Sequence, residues 1–166
     1  MLLSLTLSSA LAEPTNIDAE AVIDQDIMLN QYTEVSFVIA ASEKSYAQAL
    51  LKAATLSEQS NIVFRSNGVN FDPKQKTDNG GLTYTQSECE GYGWDYPCYV
   101  SRGRWDDGSY ITVEYSSAIQ DFTPGLYVVI AASGTKDALK PTLQTVKQFV
   151  PDAYMKTSSV YIGCMH

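Results

Sequence analysis

The chain holds a single histidine, His166, and no Cys-x-x-Cys pair, so the ligands of a structural zinc site are missing. No apolar run approaches the roughly 20 residues of a membrane-spanning helix. Basic residues are scarce: 11 Lys and Arg stand against 19 Asp and Glu, a net charge of -8. A general nucleic-acid binder needs the opposite balance to displace counterions, so that class is excluded. No catalytic motif stands out, and no cofactor or metal is called for.

What is present begins with a leader. Residues 1–12 carry a short apolar core ending in Ala10-Leu11-Ala12, the small-x-small pattern of a signal-peptidase site, and lack the usual basic stretch in front. A buried N-terminal strand is the competing account. The expected mature protein is periplasmic or secreted, without a membrane span. Residues 13–34 hold six acids and no base, which predicts a solvated helix or linker, with Ile17, Ala21, Val22, Ile27 and Met28 spaced for a short helix over 18–30. Residues 35–166 carry 13 acids and 11 bases, and form a single domain with an insertion at 66–124.

The strongest internal signal is a repeat. Val38-Ile39-Ala40-Ala41-Ser42 recurs 91 residues later as Val129-Ile130-Ala131-Ala132-Ser133. Each copy is the end of a continuous apolar run suited to a buried strand. Each is followed by a helical pattern: Tyr46, Ala49, Leu50, Ala53, Ala54 and Leu56 after Ser42 as N-cap, and Ala138, Leu139, Leu143, Val146, Phe149 and Val150 in the second copy, where Pro141 should kink the helix. Ile62-Val63-Phe64 reads as the second strand of the first unit; 153–155 and 160–162 supply the closing strand of the second. Two such βαβ units predict an α+β, ferredoxin-like fold: one antiparallel sheet with both helices on one face.

Between the units lies a segment of different character. Cys89 and Cys98 flank a Gly- and Pro-containing loop that can turn back on itself, and in an oxidising compartment they predict a disulfide. Cys164 is left over, to be buried and inert, paired between chains, or reactive. Asp106-Asp107-Gly108 between two runs of β-formers predicts a hairpin of 99–105 with 109–115.

The two halves, each opening on an aromatic-Val-Ile strand with a small-residue turn into an Ala-rich helix, resemble the SPOR domain over about 35–65 and 125–162. That resemblance implies an exported domain that binds peptidoglycan, especially glycan strands stripped of their peptides. SPOR strands commonly end in Gly-Ser-Phe or Gly-Pro-Phe, where this chain has Ala-Ala-Ser.

The insertion holds both tryptophans and six of the eleven tyrosines. Rigid amphipathic rings on a pinned loop suit stacking on sugars or anchoring a protein. The expected ligand- or partner-binding residues are Tyr92, Trp94, Tyr96, Arg102, Arg104 and Trp105. Covering the sheet is the competing role for some of these rings, and a charged hairpin edge is the competing role for the arginines. The expected function is a non-enzymatic binding domain for a cell-wall glycan. The alternative is a periplasmic inhibitor or immunity protein that binds an exported hydrolase or toxin. A third reading takes Asp106, Asp107, Glu114, Glu88 and Glu90 as a source of paired carboxylates for glycoside hydrolysis; turn chemistry alone also explains Asp106-Asp107-Gly108.

Overall fold

The computed structural model describes residues 31–75, 79–104 and 108–163. Within them the chain runs β1 (Tyr32–Glu43), α1 (Tyr46–Ser60), β2 (Asn70–Phe71), β3 (Leu82–Thr83), α2 (Gln86–Gly91), β4 (Gly108–Tyr115), β5 (Tyr127–Gly134), α3 (Lys140–Lys147) and β6 (Tyr154–Tyr161). Four strands make an antiparallel sheet in the order β4-β5-β1-β6, and β2 pairs with β3 as a separate ribbon. This is the expected α+β, ferredoxin-like arrangement, with the disulfide loop and a small β pair inserted. The signal peptide, the acidic residues up to 30, Trp105, Asp106, Asp107, Cys164 and His166 lie outside the described residues.

The repeat occupies the centre of the sheet. Ile39 faces Ile130, Val38 faces Ala132 and Ala41 faces Val129, so the first residue of each copy meets the fourth of the other. The register shifts at Ala40 and at Ala131, the third residue of each copy. A bulge crowds the backbone and sharpens the twist, and a small side chain tolerates that crowding. The duplicated sequence is therefore the pairing seam of the two halves around a local two-fold axis.

Several local expectations are corrected. β1 continues through Ser42, which pairs with Val128, and the N-cap of α1 is Ser45. The second strand of the first half is β4: Phe64 makes only one parallel bridge, to Ile111 at the outer edge of β4. Residues 99–104 form no strand, so the hairpin predicted around Gly108 is absent from the described residues and β4 pairs with β5 instead. Pro141 kinks nothing, because it lies in the first turn of α3, where its missing N–H has no partner to lose.

α1 buries Ala49, Ala53 and Leu56, one stripe whose two alanines let the helix approach the sheet closely. Asn61 ends it in the left-handed conformation, at φ 58°. Leu139, Val146 and Ala153 join that stripe with Val38, Val113 and Val129 in the larger core cluster. The opposite face of the sheet is also covered. There Val35, Phe37 and Ile39 pack with Val128, Ile130 and Ile119, and Phe122 meets Phe37 edge-on at 5.8 Å. Burial on both faces is why the β1 and β5 sequences read as unbroken apolar runs.

Candidate functional site

The insertion builds its tip from a short helix and a covalent clamp. Thr85 and Glu88 form a capping box at the start of α2: the Glu88 N–H donates to Thr85 Oγ1 at 3.3 Å and the Thr85 N–H donates to Glu88 Oε2 at 2.9 Å. The hydrogen bond from the Thr85 hydroxyl, above all, holds the Glu88 carboxyl below its usual range. Cys89 and Cys98 are bridged as expected, both buried. The neck below them is closed by backbone contacts: Tyr84 N–H donates to the Cys98 carbonyl at 2.9 Å, and Cys98 N–H donates to the Thr83 hydroxyl at 3.1 Å.

Above this neck Tyr84, Tyr92 and Trp94 form a row. The ring centres of Tyr84 and Tyr92 are 6.2 Å apart, and those of Tyr92 and Trp94 are 5.0 Å apart with planes inclined by 33°. Tyr92 is 63% exposed, the most exposed large aromatic side chain among the described residues. Tyr96 turns away from the row toward β2, its hydroxyl donating to Asp72 Oδ2 at 3.4 Å. Tyr110 is buried in the sheet, so only part of the aromatic density of this region faces solvent.

Arg102 sits inside the protein, only 3% exposed. Its guanidinium plugs the irregularity where β4 and β5 slip past one another between Ser109 and Thr112. It donates to the Tyr110 carbonyl at 2.5 Å, the Ile130 carbonyl at 3.2 Å, the Gly108 carbonyl at 2.7 Å and Ser133 Oγ at 2.9 Å. The same group lies 3.6 Å from the centre of the Tyr110 ring. A bulge leaves carbonyls without ladder partners, and a buried fork of donors satisfies several at once.

Beside it, the backbone N–H of Arg102 donates to Glu114 Oε2 at 3.3 Å, and the Tyr99 hydroxyl donates to the same oxygen. Burial pushes the Glu114 carboxyl up, against the pull of its hydrogen bonds and of Arg102. Burial, reinforced by the Glu114 charge, pushes the Tyr99 phenol well above 10.0. Glu114 is thus a buried tie between the segment 99–102 and β4, whereas Glu88 and Glu90 lie on the exposed surface of α2.

Arg104 lies at the surface of a cleft of about 300 Å³ at the end of β1 and β6. Its guanidinium is 4.9 Å from the centre of the Tyr161 ring and donates to the Gly163 carbonyl. Tyr161 in turn meets Tyr32 edge-on at 5.2 Å. Tyr32, Tyr161, Gln120 and Ser159 were not legible as site residues, since Tyr161 reads as one member of an apolar strand and nothing in the sequence links it to Tyr32.

Comparison with protein families, curated proteins and solved structures finds no match to this chain. The fold defines its class: a disulfide-bonded α+β domain with a row of aromatic rings above the bridged loop.

Proposed function

We propose that this is an exported, non-enzymatic binding domain that recognises the glycan strands of a bacterial cell wall. The observation that carries the reading is the row Tyr84, Tyr92 and Trp94 above a disulfide-closed neck, with Tyr92 exposed and the other two rings half-buried. Sugar rings present apolar C–H faces that stack on aromatic faces. Rings held in place by a short bridged loop lose little entropy on binding. The disulfide favours an oxidising compartment, and the pattern shared with SPOR domains favours glycan over other polymers.

Cosedimentation with purified peptidoglycan tests the reading. Trp94→Ala and Tyr92→Ala should each weaken binding about tenfold or more, as expected for central aromatic anchors, with an unaltered circular dichroism spectrum. Failure of the wild-type protein to sediment, or full binding by Trp94→Ala, would overturn it. The exposed acids Glu88, Glu90 and Asp95 at the tip favour a second reading, an inhibitor that places the same tip against a basic exported enzyme. Capture of one such enzyme, lost in Trp94→Ala, together with no glycan binding, would support that reading.

A further inference from the structure

The geometry points to a second sugar subsite in the cleft between Tyr32, Tyr161 and Arg104, so that the ligand is an extended oligosaccharide rather than a single sugar or a chain end. This rests on the glycan reading above. The cleft joins four segments that are separate in sequence: the first residue of β1, the last residues of β6, the segment 99–104 and the turn 118–120. Its chemistry is that of a saccharide site, which needs an apolar face for C–H groups and convergent polar groups for hydroxyls. Tyr32, 45% exposed, and Tyr161 supply the rings. Arg104, Gln120, Ser159 and Ser101 supply the polar wall, with the Ser101 hydroxyl held in place by its donation to the Ala118 carbonyl at 3.0 Å.

Continuity with the tip is what makes it a subsite rather than a separate site. Val100, Ser101, Arg102 and Arg104 line this cleft and also a smaller one of about 180 Å³, whose lining includes Tyr84. Tyr84 is also the ring next to Tyr92 in the aromatic row. A linear chain stacked on Trp94 and Tyr92 can therefore continue past Tyr84 and over the 100–104 segment toward Tyr161. Both ends of this path are mounted on rigid parts, the disulfide neck and the paired ends of β1 and β6, so the spacing between subsites is set before the ligand arrives. Two subsites joined through one ligand convert the second contact into an intramolecular event, which raises affinity with ligand length.

Calorimetric titration of the full chain with soluble di-, tetra- and octasaccharides cut from peptidoglycan glycan strands tests this. The wild-type protein should bind the octasaccharide at least about tenfold more tightly than the disaccharide. Tyr32→Ala should collapse that ratio toward one, while Trp94→Ala should weaken all lengths together. Gln120→Ala, at an exposed loop position, provides a variant that leaves the sheet intact and should reduce the ratio several-fold. A full length dependence in both Tyr32→Ala and Gln120→Ala overturns the second subsite and leaves the glycan reading standing. Absence of binding by the wild-type protein at every length overturns both.

Discussion

Gly103 offers the sharpest test of how the insertion is held on the sheet. Its φ is +99°, and a Cβ built there would lie 2.6 Å from Phe37 Cζ and 2.8 Å from Phe37 Cε1. Phe37 cannot swing aside, because it is fully buried and packed edge-on against Phe122. Gly103→Ala should therefore combine two penalties. Left-handed backbone strain on an L-residue costs about 1–2 kcal/mol. Overpacking a dense core costs a further ~1–3 kcal/mol. Gly93→Ala separates them: its φ is +75°, yet nothing lies within 4 Å of the added carbon. For a domain of this size each kcal/mol corresponds to roughly 4 °C of melting temperature. Gly93→Ala should then lower the Tm by about 4–8 °C, and Gly103→Ala by about 8–20 °C, in thermal melts followed by circular dichroism at one pH. Adding Phe37→Leu should return part of the excess loss, a coupling that only neighbouring residues show. Equal losses for the two alanine variants would refute the close approach of the insertion to Phe37.

Four further outcomes follow from the buried chemistry. Arg102→Met should cost about 3–5 kcal/mol in urea denaturation, because it strands carbonyls on β4 and β5 with no replacement donor. The raised carboxyl of Glu114 means that the folded state holds this proton more tightly than the unfolded state, so its contribution is present at and below the ordinary value of 4.5 and is lost as pH rises through the folded pKa. Melting temperatures measured across that interval should fall more in the wild type than in Glu114→Gln. Tyr99 acts in the same direction above 10.0, and Tyr99→Phe should flatten the alkaline limb of the same curve. Replacing Cys89 and Cys98 by alanine should remove roughly 2–3 kcal/mol, the loop-closure entropy of so short a ring, and should weaken binding of the Tyr92 tip as well.

Patterns carried by neighbouring residues were legible in the sequence. The apolar runs before Ser42 and Ser133 predicted buried strands, the spacing of Ala49, Ala53 and Leu56 predicted the helix face, and the loop between Cys89 and Cys98 predicted the bridge. Each depends on contacts within one segment, where periodicity or chain length does most of the specifying. The misplaced features depend on competition between segments. Ile62-Val63-Phe64 has strand composition, yet β4 takes the position beside β5 and leaves Phe64 a single bridge at its edge. Arg102 looks like a solvated charge until the slip between β4 and β5 presents it with carbonyls to fill.

The sequence by itself determined the duplicated halves, their α+β class and the rigid aromatic loop between them, because hydrophobic period, turn residues and a short cysteine spacing act locally. Tertiary structure decided where the repeat meets itself, with Ile39 against Ile130, and which polar groups are buried. It also decided that Tyr32, Tyr161 and Arg104 share one cleft. Such juxtapositions arise only when strands remote in sequence pair and the insertion folds back on them, and no one-dimensional pattern encodes that meeting.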